Sequence, residues 1–154
     1  MMHVIKNIFT NQQRQKLIKD CQPLLKDLGK AYPGKQTYGN LHLHPDFISP
    51  INDLVRIIFK ETGLDLVVNN GWINWTNGSK KDIGWHNHSC DYALVYYMKI
   101  PLPFFSNGTL FEDRFVRAPQ NSMIIFPAKL KHTAPSSPFR FDRYTMALEL
   151  NYGI

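Results

Sequence analysis

The chain changes character after Gly63, and this change constrains its fold more than any other feature. Before it lie two stretches whose apolar residues recur as on one face of a helix, and after it lie short β-rich runs separated by Gly, Asn, Pro or Ser. The runs are LDLVVNN, GWINWT, YALVYYMKI, TLFE, SMIIF and RYTMALELNY. This order predicts an α+β, mainly β domain in which the strands form a sandwich or barrel and the helices pack on one sheet.

The first predicted helix covers residues 10–28. Thr10 followed by Gln13 fits a capping box, in which each side chain accepts a hydrogen bond from the other residue's backbone. Pro23 has no N–H to donate to the preceding turn, so it should kink this helix or open a second short one. We expect the segment to end before Gly29.

The second predicted helix covers residues 50–62, with Ser49 as its N-cap and Gly63 as its stop. The sequence therefore divides into a helical N-terminal part, residues 1–63, and a β core, residues 64–154. A chain of 154 residues is long enough to bury a core without disulfides, so we expect both parts to form a single domain.

Composition argues against several classes of protein. Only two cysteines occur, Cys21 and Cys90, far apart and without a preceding secretory signal, which favours a reducing cytoplasmic setting. The apolar runs are too short and too interrupted for membrane helices, which predicts a soluble protein. The net charge is +6, but the basic residues form no dense block, so we expect small anionic ligands rather than nucleic acid.

The segment GWHNHSCD places His86 and His88 two positions apart, directly before an apolar run. In an extended strand, residues two apart point to the same face, so both imidazoles can converge on one metal ion. The spacing alone is weak, because His42 and His44 repeat it before the second helix. We interpret that second pair as structural or surface histidines.

Later residues supply what the first pair lacks. His132 follows the apolar run SMIIF and Pro127, so it should lie at the end of an interior strand and offer a third ligand. Arg143 and Thr145 share one face of the final strand and together suit a carboxylate.

At this point the sequence resembles the 2-oxoglutarate- and Fe(II)-dependent oxygenases, and looks closest to their small prolyl-hydroxylase-like branch. The resemblance covers about residues 64–152 and is carried by WINWTNGSKKDIGWHNHS, ALVYYMKIP, NGTLFED, IIFPAKLKHTAP and RYTMALELN, in that order. It implies a double-stranded β-helix, or jelly roll, with Fe(II), 2-oxoglutarate and O₂. It also implies a dioxygenase that hydroxylates a peptide or a small molecule, with peptidyl proline favoured.

The resemblance also implies roles for individual residues. His86, His88 and His132 would be the metal ligands and catalytic centre, while Arg143 and Thr145 would hold the far carboxylate of 2-oxoglutarate. Tyr96 would add a phenol hydrogen bond to the cosubstrate, in preference to Tyr97, because Tyr96 shares the parity of His86 and His88 if no bulge intervenes. Four aromatic side chains would keep the cavity dry: Trp72, Trp75, Tyr97 and Phe126.

The sequence departs from the family pattern at His88. The usual triad is two histidines and one carboxylate, and His88 stands where the carboxylate belongs. Asp91, three residues further on, is the alternative ligand, or it orients an imidazole from outside the ligand set.

Two other interpretations remain open. A cupin would have the same architecture, with HNHSCD and NSMIIFPAKLKH as its motifs, although it gives no reason for RYT after the distal histidine. A non-catalytic jelly-roll binding module would keep the fold without the chemistry. For the oxygenase, we expect substrate specificity to depend on loops outside the core, here GKQTYGNLHLHPDF and NWTNGSKKDIG.

Overall fold

The computed structural model describes residues 1–27, 34–78, 84–101, 108–134 and 140–153. The helices are α1 (Asn11–Cys21) and α2 (Ile48–Thr62), with 3₁₀ turns at Gln22–Leu24 and Leu41–Leu43. The strands are β1 (His3–Ile5), β2 (Lys35–Gln36), β3 (Leu66–Asn77), β4 (Tyr92–Lys99), β5 (Gly108–Phe111), β6 (Phe115–Arg117), β7 (Met123–Pro127), β8 (His132–Thr133) and β9 (Asp142–Tyr152).

The strands form two antiparallel sheets. The large sheet has the order β1-β7-β4-β9-β3-β2, and the small sheet has the order β6-β5-β8. The centre of the large sheet is the long pairing of β3 with β9, which is interrupted by a register shift between Val68 and Asn70. Two packed antiparallel sheets with long-range strand order confirm the predicted jelly-roll architecture.

The two faces of the large sheet bury different sets of residues. Register places Tyr96 of β4 opposite Met146 of β9, on the face that packs against Leu17 of α1 and Ile58 of α2. The opposite face carries the next residues along, and it packs towards the small sheet through a second cluster: Ala93, Tyr97, Ile100, Phe111, Ala118, Ile124, Phe126 and Ala128. The helices therefore cover one face only, as expected, and leave the other face to the small sheet.

The start of α1 agrees with the sequence. Thr10 Oγ1 accepts from the Gln13 backbone N–H at 3.1 Å, and Gln13 Oε1 accepts from the Thr10 N–H at 2.9 Å, so the predicted capping box is present. The α-helix ends at Cys21, and Pro23 lies in the 3₁₀ turn that follows it. The predicted extent to residue 28 was too long, because Leu25 is already extended and the Lys26 N–H donates to Gln36 O at 2.8 Å in an isolated β-bridge.

The start of α2 differs from the prediction. The N-cap is Phe47 rather than Ser49, because the chain is already turning in the preceding 3₁₀ turn and the Ile48 N–H donates to His44 O at 3.1 Å. Phe47 is fully buried, so the core rather than a polar cap fixes this helix end. Gly63 ends the helix as predicted, in the left-handed conformation at φ 77°.

Short strands were the main feature missed. β1 pairs with β7, and β2 pairs with β3. Residues 1–63, which we expected to be helical, therefore also contribute two short strands. LDLVVNN and GWINWT, predicted as two runs, form the single strand β3 with its irregularity at Val68. Within the described part of the chain, no helix is both long and apolar enough to cross a membrane.

Candidate metal centre and its cavity

The structure brings the three predicted histidines together at one end of the β core. One nitrogen from each of His86, His88 and His132 lies within 4.8 Å of the others. His86 and His132 form an isolated antiparallel bridge, with backbone N···O distances of 3.1 and 2.9 Å, and the His88 N–H donates to Ala128 O at 2.9 Å. Backbone hydrogen bonds therefore hold all three histidine positions.

Each imidazole faces an acceptor through its Nδ1 atom. His86 Nδ1 lies 3.0 Å from Gly84 O, and His132 Nδ1 lies 3.0 Å from Leu130 O. These carbonyls assign the proton to Nδ1, which leaves the lone pair of Nε2 available to a metal. The histidine rings are in mutual contact, with centroid separations of 4.3 to 5.3 Å.

Burial favours the neutral form of two of these imidazoles. His132 is 5% exposed, and burial lowers its pKa from 6.5 to about 4. Burial, followed by the nearby charge of His86, also lowers the pKa of His88. At neutral pH both imidazoles are therefore unprotonated, the state that metal binding requires.

Glu149 is a neighbour of the centre that the sequence analysis missed. Its Oε2 atom lies 3.3 Å from His88 Nδ1. Glu149 shares the inward face of β9 with Arg143 and Thr145, since residues two apart on a strand point the same way. Alternation along β9 from Arg143 could have placed Glu149 on the inward face, whereas its approach to His88 depends on the register of β9 in the sheet.

Asp91 does not take the position considered for it. Among the described residues the group that could hold a metal ion consists of the three histidines, while Asp91 Oδ2 accepts from the Tyr152 backbone N–H at 2.9 Å. Asp91 is thus engaged with the C-terminal end of β9. Glu149, rather than Asp91, is the carboxylate beside an imidazole of the cluster.

A cavity of about 520 Å³ opens beside the histidines. Arg143 and Thr145 line it, and both are almost fully buried. Among the described residues, the Nε atom of Arg143 has no hydrogen-bond partner, and no carboxylate lies within ion-pair distance of its guanidinium. A buried guanidinium with an unsatisfied Nε and no counter-charge among the described residues is costly, so this end of the cavity suits an anionic ligand.

The choice of Tyr96 over Tyr97 was wrong. Tyr96 lies on the helix face, packs edge-on against Phe9, and donates its hydroxyl to Asn121 Oδ1 at 2.7 Å. Tyr97 lies opposite Thr145, with the Arg143 guanidinium 5.7 Å from its ring centroid. The parity argument failed because β4 begins only at Tyr92, so the histidine segment is not part of that strand.

Tyr97 contacts Arg143 but is not one of the residues that line the cavity. Its hydroxyl is hydrogen-bonded to Thr109 Oγ1, and burial raises its pKa to about 12, so the phenol stays neutral. Trp72 and Phe126 do line the cavity, at ring-centroid distances of 6.0 Å from His88 and 4.7 Å from His132.

Trp75 was wrongly assigned to the cavity. It packs with the helix-face core, and its Nε1–H donates to Asp142 Oδ1 at 3.0 Å. The pair His42 and His44 lies apart from the histidine cluster, as expected. His44 Nδ1 accepts from the Asp46 N–H at 3.2 Å, and His42 flanks it in the 3₁₀ turn.

Residues of both predicted substrate loops line the cavity. Tyr38 and Gly39 of the first loop and Gly84 at the end of the second line the cavity, together with Trp85. Tyr38 is 69% exposed and Trp85 is 51% exposed. Residues 79–83 of the second loop lie outside the described residues.

Comparison with known proteins finds similarity in structure only. No family profile and no curated protein matches the sequence. The viral collagen prolyl hydroxylase vCPH from Paramecium Bursaria Chlorella virus-1, in its 2OG complex, is 15% identical with a TM-score of 0.70, over 97% of this chain and 94% of that one. HygX from Streptomyces hygroscopicus, with nickel and 2-oxoglutarate bound, is 13% identical with a TM-score of 0.72, over 99% and 83%.

EctD from S. alaskensis, with bound Fe, is 13% identical with a TM-score of 0.73, over 98% of this chain and 72% of that one. At these identities the comparisons establish the fold and leave the chemistry to the residues of the site. The jelly-roll fold expected from the sequence is thereby confirmed.

Proposed function

We propose that the protein is an Fe(II)- and 2-oxoglutarate-dependent oxygenase. One observation carries the proposal: three histidines and a buried arginine with an unsatisfied Nε atom line the same cavity. The histidines suit a divalent metal, and the arginine suits the carboxylate of a small acid. Structural neighbours with the same fold support the proposal: HygX has nickel and 2-oxoglutarate bound, vCPH is in its 2OG complex, and EctD has bound Fe.

His86, His88 and His132 are the residues that would hold the metal. All three face acceptors through Nδ1, so their Nε2 atoms are free to bind. When bound, iron and 2-oxoglutarate supply the activation of O₂ that couples decarboxylation of the 2-oxo acid to oxidation of a substrate.

Arg143 and Thr145 would anchor the far carboxylate of 2-oxoglutarate. Opposite charge and a planar fork make the guanidinium the principal contact, and the neighbouring hydroxyl can donate a second hydrogen bond. The guanidinium lies 5.7 Å from the Tyr97 ring centroid, a cation–π contact that favours its position. Trp72 and Phe126 exclude water between this anchor and the histidines.

The substrate side is the cavity mouth, where Tyr38 and Trp85 offer exposed aromatic surface. We propose hydroxylation as the reaction and peptidyl proline as the first substrate to test. A panel of proline-containing peptides and small metabolites, assayed for substrate-dependent consumption of 2-oxoglutarate and a mass gain of one oxygen, would identify the substrate class.

Anaerobic absorption spectroscopy tests the proposal without a substrate. Addition of 2-oxoglutarate to the Fe(II)-loaded protein should produce the weak visible charge-transfer band of the bound 2-oxo acid. Arg143→Ala should weaken 2-oxoglutarate binding by about 100-fold, since a buried charged hydrogen bond contributes roughly 3 kcal/mol. Arg117→Ala removes an exposed arginine on β6 and should leave binding unchanged.

The outcomes separate the competing functions. Metal binding without a band at saturating 2-oxoglutarate would favour a cupin-type protein and contradict the oxygenase. Failure to bind divalent metal would favour a non-catalytic binding module.

A further inference from the structure

We propose that Glu149 is the residue that completes the three-histidine centre, acting through His88 as a positioning residue. It supplies, one side chain further from the metal, the negative charge that a carboxylate ligand at position 88 would have provided directly. This inference rests on the proposed metal centre, and the experiment below separates failure of the one from failure of the other.

The three Nδ1 atoms contact acceptors of different charge, and this difference is the first observation that supports the proposed role of Glu149. His86 and His132 each face a neutral backbone carbonyl, whereas His88 faces the Glu149 carboxylate at 3.3 Å. The two side chains are only 13% and 18% exposed, so water screens their interaction weakly. A carboxylate that accepts from Nδ1–H fixes the ring and raises the basicity of Nε2.

The position of Glu149 is itself fixed by a second set of hydrogen bonds. Asn70 Nδ2 donates to Glu149 Oε1 at 3.3 Å. Asn70 Oδ1 in turn accepts from the backbone N–H of Asn40 at 2.7 Å and of Gly71 at 2.9 Å. The amide of Asn70 therefore has a defined orientation, and both oxygens of the carboxylate have partners.

The net charge of the metal with its ligands gives a chemical reason for placing a carboxylate beside His88. A metal held by two histidines and a carboxylate keeps one net positive charge, whereas three neutral imidazoles leave two. Glu149 restores the lower net charge for the centre as a whole without occupying a coordination position. His88 then becomes the most strongly donating of the three imidazoles.

Binding of Zn(II) and Co(II) to the metal-stripped protein tests this role without requiring activity. Glu149→Gln keeps the shape of the side chain and removes its charge, and we expect Zn(II) affinity to fall by about 10- to 100-fold. The Co(II) ligand-field absorption should shift as well, because His88 would donate less strongly. Asn70→Ala, which keeps the charge but releases one oxygen, should cost about 3- to 10-fold.

Glu61→Gln is the matched control, since it removes the same charge from the exposed side of α2. It should leave both the affinity and the Co(II) spectrum unchanged. Melting temperatures of the metal-free variants show whether each one folds, so that an affinity loss is read only from folded protein.

Three results would overturn the inference. The first is that Glu149→Gln binds Zn(II) within about threefold of the affinity of the unmodified protein. The second is that Glu149→Gln loses affinity without any change in its Co(II) spectrum. The third is that the Glu61→Gln control loses as much affinity as Glu149→Gln. The second would mean that Glu149 acts by long-range attraction and not through His88. If the unmodified protein binds neither ion, the proposed metal centre itself is wrong.

Discussion

Stability of the metal-free protein should fall steeply in mild acid, and His132 should be a main cause. Burial lowers the His132 pKa from 6.5 to about 4. Between these values the unfolded chain binds a proton that the folded chain does not, so acid favours unfolding. The stability associated with neutral His132 is complete above pH 6.5 and is lost progressively as the pH falls towards 4.

The shift gives the size of the effect. Between about pH 7.5 and about pH 5, the free energy of unfolding should drop by about 2 kcal/mol through His132, and by about 3 kcal/mol near pH 4. For a chain of this size, about 2 kcal/mol lowers the melting temperature by roughly 4 to 8 °C. His88 contributes in the same direction, since burial lowers its pKa too.

Urea unfolding in the presence of a chelator, at the two pH values, measures this loss. His132→Asn retains a polar side chain but cannot titrate, so it should lose about 2 kcal/mol less than the unmodified protein over the same interval. Circular dichroism at neutral pH confirms that the variant is folded. Equal losses in both proteins would refute the assignment of the pH dependence to a buried neutral His132.

Three further predictions separate the cavity from the rest of the fold. Tyr96→Phe should lower the free energy of unfolding by about 1 kcal/mol, because the hydrogen bond to Asn121 is lost. Its 2-oxoglutarate affinity, measured by titration calorimetry, should not change, and a fall would contradict the placement of Tyr96 on the helix face. Asp91→Asn should leave Zn(II) affinity unchanged in a chelator competition, since its carboxylate contacts Tyr152, and a tenfold-scale loss would restore Asp91 as a ligand. Ile58→Ala should cost about 2 to 5 kcal/mol in urea unfolding, because this side chain of α2 is fully buried in the core, and the Zn(II) affinity of the folded fraction should be preserved.

The parts of the site that the sequence predicted depend on local rules. Arg143 and Thr145 share a face because they lie two apart within β9, and His132 follows a buried strand as its apolar neighbours indicated. Strand period and apolar runs are properties of a short segment, so a single sequence displays them.

The parts that were missed depend on relations between distant segments. Glu149 reaches His88 only through the register of β9 in the large sheet, and β1 is a strand only because β7 lies beside it. Tyr96 was misassigned because parity was carried across residues 84–91, most of which are not in a strand. Register, and parity through an irregular segment, are set by tertiary packing rather than by local sequence.

The backbone bridge between His86 and His132 has a consequence for substitutions of these histidines. The amide groups that join these two positions are present whatever side chains they carry, and the backbone of position 88 is held separately by Ala128. Replacing one imidazole by a carboxylate or an amide would therefore alter which metal is held, and how tightly, while the frame stays in place. Such a scaffold lets mutation, natural or engineered, explore new metal chemistry one side chain at a time.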